Sequence, residues 1–259
     1  DINPQQRDVL EQYAAARLAQ CKWPIAEISP KISRQDFLKR FHPLSACAYA
    51  DDPLFQLGLA DQYVEALTQA PSTASDRRDA PIPAGRRLRI GYVSSDLRAH
   101  AVGYLMANLF EAHDSSAIEV FVYYCGIPAS DEINQRIKSA VEHWTDIRSM
   151  SDDEAAAAIA GDGIDILVDV NGHTRDARLG VFARRPAPVI VNWLGYPGTM
   201  GSPFHHYIVA DDWVIPQDHE LYYSERVLRL PCYQPNDRKR AVHPDTPTRA
   251  SAGLPDDAF

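Results

Sequence analysis

Apolar residues in this chain fall into five short runs in which neighbouring positions, and not only alternate ones, are apolar or β-branched. The runs are LRIGYVSS (88–95), EVFVYY (119–124), IDILVDV (164–170), VIVNWL (189–194) and HYIVA (206–210). Strands that are apolar on both faces are typical of a parallel sheet covered by helices on its two sides. The pattern therefore predicts buried parallel strands across this region.

Helix-like segments separate these runs. INQRIKSAVEH (133–143) and SDDEAAAAIAGDG (151–163) supply the crossovers, and the second has a Ser cap, early acidic residues and a terminal glycine. Strands that alternate with helices predict an α/β fold with a doubly wound, mainly parallel sheet. Ligands of such sheets bind beyond the carboxyl ends of the strands, so chemistry is expected in the loops that follow them.

The first 72 residues predict a separate helical segment. Its candidate helices are VLEQYAAARLAQC after the capping pair Asn3-Pro4, RQDFLKRFHPLSACAYA with an interruption at Pro43, and a third that begins at Asp52-Pro53. Paired antiparallel helices would suit the end of a helical repeat array. Residues 73–87 are rich in Pro, Ser, Ala and charge, which predicts a linker, and the α/β lobe is expected to occupy 88–259.

Composition favours a soluble globular protein, with 45% hydrophobic and 24% charged residues. The net charge of −9 argues against a nucleic-acid-binding protein, and the basic run 238–240 is expected to be a solvated loop. Four cysteines without CxxC spacing predict neither a disulfide framework nor a zinc site, and a cytoplasmic location is the expectation. No apolar stretch predicts a membrane span. The first residue is Asp and no signal peptide is evident, so a piece of a longer chain is expected.

The loop after the first strand, SSDLRAH, lacks the spacing of a phosphate-binding glycine motif. His100 stands at the carboxyl end of this strand, near the start of the next helix, where the helix dipole disfavours an imidazolium. A neutral imidazole there could serve as a general base or donate a hydrogen bond to a ligand. The alternative is an incidental surface histidine.

Two further loops follow strands of the same sheet. DVNGHTRDAR (169–178) has a tight Asn-Gly turn that presents His173, Thr174 and Arg175. WLGYPGTMGSP (193–203) has glycines that let the backbone approach a ligand closely, although a purely structural turn-rich loop explains the same residues. Because strand-end loops converge in space, the three loops together favour a binding site.

Three other candidate sites have weaker support in the sequence. His205-His206 precedes a strand, where neighbours point to opposite faces, so a packed or solvated pair is expected and not a metal site. Asp211-Asp212 resembles an acidic metal motif, but a turn cap is the expected role. Serine hydrolysis is disfavoured because no GxSxG elbow is present.

The segments RIGYVSSDLRAH, DGIDILVDVNGHTRDARLGVFARRPAPVIVNWLGYPGTMGSPFHHYIVAD and YYSERVLRLP resemble the first catalytic lobe of the O-GlcNAc transferase family, glycosyltransferase family 41, and its bacterial members. HPLSACAYADDPLFQ is similar to the stretch that joins tetratricopeptide repeats to the catalytic region in that family, and ASAGLPDDAF is similar to the entry into its second lobe. The resemblance covers nearly the whole chain.

This resemblance implies an inverting, metal-independent glycosyltransferase of the GT-B architecture, whose two Rossmann-like lobes enclose a cleft. It implies UDP-N-acetylglucosamine as the donor, a Ser or Thr hydroxyl of a protein or peptide as the acceptor, and no cofactor. The upstream repeats and the second lobe would lie outside these 259 residues, so the chain alone is expected to be inactive.

The resemblance also implies the site residues. His100 matches the active-site histidine of the family, and a sugar-contacting loop is matched by Leu194, Gly195, Tyr196, Pro197, Gly198 and Thr199. His173 and Tyr104 complete the predicted substrate site. The chain departs from the animal enzymes in having Ala101 where they have Pro, and Tyr104 where they have a second His. It also lacks their histidine-rich stretch before Pro-Leu-Ser.

Alternatives remain at this point. A fucose or glucose donor could replace N-acetylglucosamine. The chain could be a noncatalytic protein-binding scaffold. A GT-B-like epimerase or hydrolase would consume a sugar nucleotide without a protein acceptor.

Overall fold

The computed structural model describes residues 7–25, 33–38, 41–68, 85–240, 244–255 and 257. Its strands are β1 (Leu88–Ser94), β2 (Ile118–Tyr124), β3 (His143–Asp146), β4 (Ile166–Asp169), β5 (Val189–Asn192), β6 (Tyr207–Ala210) and β7 (Arg226–Arg229). Its helices are α1 (Arg7–Ala19), α2 (Arg34–Leu38), α3 (Pro43–Tyr49), α4 (Pro53–Leu67), α5 (Ala101–Ala112), α6 (Glu132–Ala140), α7 (Asp152–Gly161) and α8 (Leu179–Ala183), with a 3₁₀-helix at Gln217–Tyr222.

The strands form one sheet in the order β3-β2-β1-β4-β5-β6-β7, and every described pairing is parallel. The chain therefore runs outward from β1 to β3 and returns to β4 on the other side of β1. Helices α5 and α6 cover one face and α7 and α8 cover the other, each over its own buried cluster. The predicted doubly wound, Rossmann-like layer is confirmed.

Two edge strands were not predicted. β3 is the polar sequence HWTD, and its first residue, His143, falls at the end of the predicted helix 133–143, which in fact ends at Ala140. β7, with the sequence RVLR, alternates between exposed and half-buried positions. Edge strands need fewer apolar residues than central ones because one side of each remains unpaired, so neither shows a long apolar run.

Local capping signals behave as the sequence predicts. Ser151 and Glu154 form a reciprocal capping box at the start of α7, and Gly163 after its end adopts a positive φ. The Asp52 side chain caps α4, and Pro53 is its first residue. Pro43 likewise begins α3, with His42 as its cap. The predicted cap Asn3-Pro4 and residues 73–84 of the predicted linker lie outside the described residues.

The helical segment packs directly on the lobe. Helices α1 to α4 share a buried cluster that includes Leu10, Phe37, Phe41 and Leu59. Val64 of α4 belongs instead to the cluster on the α7 side of the sheet. No helix in the described ranges has the length and hydropathy that a bilayer span requires.

Candidate functional site

The carboxyl edge of the sheet has its switch point between β1 and β4. These strands are adjacent in the sheet, but the chain leaves β1 toward one edge and leaves β4 toward the other. The crossovers that follow them lie on opposite faces of the sheet, and doubly wound sheets bind ligands at such a switch point.

Asn171 connects the loops after β1 and β4. Its side-chain oxygen accepts from the backbone N–H of Ser95 at 2.8 Å, and its amide nitrogen donates to the Ser95 hydroxyl at 2.7 Å and to the Thr174 hydroxyl at 3.0 Å. Asn171 is 2% exposed. Because hydrogen bonds in a buried site are strong, this side chain fixes the geometry of the two loops relative to each other.

The loop after β5 lies against the same strand end. A Cβ atom on Gly195 would stand 2.1 Å from the Val170 carbonyl oxygen, so only glycine allows this approach. Leu194 beside it has a φ of +86°, and its carbonyl accepts from the Tyr233 hydroxyl at 2.8 Å. The loops that follow β1, β4 and β5 are therefore joined, as expected for loops at the same end of a parallel sheet.

His100 is the N-cap of α5. Its Nδ1 accepts from the Val102 backbone N–H at 3.3 Å, and 41% of its side chain is exposed. The Asp96 carboxylate lies 3.8 Å from the same nitrogen. In a neutral ring whose Nδ1 accepts a hydrogen bond, the proton is on Nε2. His100 therefore leaves an N–H donor as the free group of its ring.

Tyr104 lies one helical turn beyond His100, on the same side of α5. It is 44% exposed, and the Arg240 guanidinium lies over its ring, 5.9 Å from the centroid. Both predicted residues of this helix are thus accessible to a ligand. The contact also shows that the basic run 238–240 is only partly free, because Arg240 packs on Tyr104.

His173 is buried rather than presented at the edge. Its Nε2–H donates to the Met200 carbonyl at 2.9 Å, and its ring makes edge-on contacts with Tyr63 of α4 and with Tyr196. Burial lowers the pKa of His173 to about 4, so the imidazole is neutral near pH 7. The ring connects the helical segment to the glycine-containing loop, and His173 is among the residues that line a 370 Å³ cavity beside Thr174.

The side chains of the loop 194–199 mostly turn inward. Tyr196 is 1% exposed, its hydroxyl lies 4.0 Å from Cys47 Sγ, and burial raises its pKa well above the usual value. A Cβ on Gly198 would stand 2.5 Å from the Tyr196 ring, and the Thr199 hydroxyl donates to the buried Glu225 carboxylate at 2.8 Å. Pro197 is exposed and Gly195 half-buried. Most side chains of the loop are thus committed to the fold, and the positions that a ligand could reach are Gly195 and Pro197.

Asp169 was not singled out from the sequence. Its Oδ1 accepts from the backbone N–H groups of Asn171 and Gly172 at 3.0 and 2.9 Å. Its Oδ2 accepts from His205 Nε2 at 3.2 Å, while His205 Nδ1 accepts from the Ser202 hydroxyl at 2.7 Å. The sequence did contain a signal for the role of Asp169, because Asp two residues before Asn-Gly is typical of an Asx-turn.

The histidine and aspartate pairs have packing roles. His205 is buried and bonds to Asp169, and His206 Nδ1 accepts from the Ile190 N–H at 2.9 Å. Both histidines are therefore packed against the fold, which is one of the two expected arrangements. Asp211 accepts from the N–H groups of Trp213, Val214 and Tyr233 and caps a turn, as expected. Within the described residues, no group of three or more His, Cys, Asp or Glu side chains is arranged to hold a metal ion.

Most of this chain is similar in sequence to known proteins. The sequence profile described as Glycosyl transferase family 41 matches residues 59–236. A probable UDP-N-acetylglucosamine–peptide N-acetylglucosaminyltransferase, SEC, from Arabidopsis thaliana is 37% identical over 255 residues, which are 90% of this chain and 26% of that relative. The UDP-N-acetylglucosamine–peptide N-acetylglucosaminyltransferase of Caenorhabditis elegans is 38% identical over 170 residues, 65% of this chain and 15% of that relative.

A solved structure is also similar. A mutant O-GlcNAc transferase from Thermobaculum terrenum superposes with a TM-score of 0.71 at 33% sequence identity, over 90% of this chain and 46% of that one. The chain thus spans about a quarter of the Arabidopsis relative and under half of the bacterial structure.

Proposed function

The chain belongs to glycosyl transferase family 41, and from this premise we propose that it supplies the first lobe of a GT-B glycosyltransferase that moves N-acetylglucosamine from UDP-N-acetylglucosamine to Ser or Thr hydroxyls of proteins. Relatives that carry this donor and a peptide acceptor in their names support the proposal. Residues 88–259 would form the lobe, and 1–72 would join it to upstream repeats.

The observation that carries the proposal is the arrangement of the strand-end loops at the switch point. Gly195 lies against Val170, and Asn171 holds the β1 loop, so the backbone at Gly195 lies beside the switch point in a fixed geometry. The carbonyls of Leu194, Tyr196 and Pro197 already accept hydrogen bonds from protein side chains, so the groups that remain for the hydroxyls of a sugar are mainly backbone N–H donors. We assign the sugar of the donor to this loop.

His100 would then guide the donor rather than take a proton. Its Nδ1 is engaged by the Val102 N–H, so its Nε2–H can donate to an oxygen of the sugar nucleotide. A general base would need the other tautomer, which breaks the cap and leaves Nδ1–H 3.8 Å from Asp96. Tyr104, one turn further, would flank the same ligand.

Metal-independent transfer is consistent with the chemistry of the buried carboxylates that flank or contact these loops. Asp169, Asp211 and Glu225 each accept hydrogen bonds from N–H or O–H groups of the protein, so their oxygens are already committed to the fold. The α5 N-terminus and the loop N–H groups would provide positive potential for the donor instead. Inversion at the sugar carbon follows if the acceptor hydroxyl attacks directly.

The test is a transfer assay on the full-length protein with UDP-N-acetylglucosamine, a Ser-containing peptide and EDTA. We expect a β-linked sugar on the peptide, detected by mass spectrometry and NMR of the anomeric proton. Parallel reactions with UDP-glucose and a fucose nucleotide define the donor. Donor consumption without labelled peptide would indicate an epimerase or hydrolase, and peptide binding without donor consumption a scaffold; either would overturn the proposal.

The 259-residue chain alone is expected to transfer nothing, because one lobe orients only part of the donor. Turnover by this chain, after removal of contaminating enzyme by a second purification tag, would contradict that expectation.

A further inference from the structure

Glu225 is a buried acidic residue to which neither the sequence nor the resemblance gave a role. It directly precedes the edge strand β7 and is 4% exposed. Its Oε1 accepts from the Met200 N–H at 2.7 Å, and its Oε2 accepts from the Thr199 hydroxyl at 2.8 Å and the Ser224 hydroxyl at 3.0 Å. The partners that the structure gives this carboxylate are neutral N–H and O–H groups.

Burying a carboxylate is costly, and charge-assisted hydrogen bonds offset that cost. Here two of them come from Thr199 and Met200, at the end of the loop to which the sugar of the donor is assigned. The loop thus has a fixed point at Glu225.

The neighbours of Glu225 hold the same loop. The Tyr223 hydroxyl donates to the Pro197 carbonyl at 3.3 Å, and the Ser224 hydroxyl accepts from the Ser202 N–H at 3.2 Å. We name Tyr223–Glu225 the clamp segment. It therefore contacts the loop at points from Pro197 to Ser202.

The hydrogen bonds of Thr199 require that the side chain at position 225 be an acceptor. Its Oγ1 accepts from the backbone N–H groups of Gly201 and Ser224 at 3.2 and 3.1 Å, so its lone pairs are occupied and its proton points to Glu225. A side-chain amide at position 225 would aim its NH2 either at the Thr199 and Ser224 hydroxyls or at the Met200 N–H, all of which now donate. The loop would have to change its geometry to avoid two facing donors.

We propose that Glu225 is a positioning residue for donor binding, which acts through Thr199 and Met200 to set the backbone of the loop 194–198. The inference rests on the proposed function of that loop. In this proposal the clamp segment controls the affinity for the donor, in addition to any contribution that it makes to folding.

The experiment compares Glu225→Gln, Thr199→Val and the double variant in the full-length protein, with Thr199→Ser as the conservative variant. Donor KM, acceptor KM, kcat and thermal stability are measured for each. We expect donor KM to rise roughly tenfold in either single variant, with acceptor KM within twofold. The double variant should resemble the singles, because both break one network. Thr199→Ser should restore donor KM.

Asp165→Asn is the matched control. Asp165 is also a buried carboxylate, but it binds Arg86 and the Arg89 N–H at the amino edge of the sheet. We expect it to lower the melting temperature and leave donor KM unchanged. A merely structural Glu225 would behave like this control, and equal donor KM in Glu225→Gln and wild type would overturn the inference. If wild type itself neither bound nor used the donor, the proposed function would fail instead.

Discussion

The side-chain oxygen of Asn171 accepts a hydrogen bond from the Ser95 N–H at 2.8 Å, across the switch point between β1 and β4. Asn171→Asp keeps that acceptor but replaces the amide that donates to the Ser95 and Thr174 hydroxyls and lies 3.3 Å from the Asp96 carboxylate. We expect the free energy of unfolding to fall by roughly 2–4 kcal/mol, because the new carboxylate at position 171 would be buried beside that of Asp96. Urea denaturation measures this.

The partly exposed Asn108 provides the control for that variant. Asn108 bonds to Glu111 and to the Arg238 N–H at the surface, and its replacement by Ala should cost less than about 1 kcal/mol. An Asn171→Asp protein as stable as wild type would show that this side chain does not join the two loops.

Buried His173 makes stability depend on pH. Its pKa of about 4 in the folded protein lies below the ordinary value of 6.5, so the unfolded chain binds its proton first as the pH falls. The contribution of the neutral ring to the free energy of unfolding is thus fully present above pH 6.5 and is lost progressively between pH 6.5 and 4. It amounts to roughly 3 kcal/mol.

Urea denaturation of wild type and His173→Gln from pH 7 to pH 4 checks this. The difference between their free energies of unfolding should shrink as the pH falls. His219→Gln, which removes an exposed imidazole, is the matched control. A pH-independent difference between wild type and His173→Gln would mean that the ring is not buried as a neutral group.

Gly195→Ala should be strongly destabilising. The new methyl carbon would stand 2.1 Å from the Val170 carbonyl oxygen, and the obstructing atom is backbone that cannot rotate away. We expect a loss of roughly 3 kcal/mol or more in the free energy of unfolding.

Gly58→Ala is the control for the same change of residue. Gly58 is exposed within α4 and has open space around its Cα, so alanine should stabilise the helix by roughly 0.5–1 kcal/mol. Equal effects of the two substitutions, measured by thermal unfolding, would refute the close approach of the loops after β4 and β5.

The central strands could be predicted because burial on two faces imposes continuous apolar runs. Leu167, Val168, Ile190 and Val191 are buried whatever the order of the strands, so their pattern depends on local sequence alone. The edge strands β3 and β7 escape this constraint. The strand order itself depends on which side of β1 each crossover takes, and the apolar runs do not record that choice.

Site residues divide in the same way. The placement of His100 at the strand end followed from the sequence, but its tautomer depends on the Val102 N–H. Tyr196 and Thr199 turn inward because their partners, Cys47 and Glu225, come from distant parts of the chain. No local pattern encodes such contacts, so the direction of a loop side chain could not be read from its own segment.

We expect the Nε2–H of His100 to bind the donor, and His100→Asn isolates that contribution. Asn is a good helix cap, so this variant keeps α5 capped while removing the imidazole Nε2–H, whereas His100→Ala also loses about 1 kcal/mol of helix stability. In the full-length protein, both variants should weaken UDP-N-acetylglucosamine binding, measured by calorimetry, by about tenfold at unchanged acceptor KM. Unchanged donor affinity in His100→Asn, with or without a lower kcat, would contradict the account.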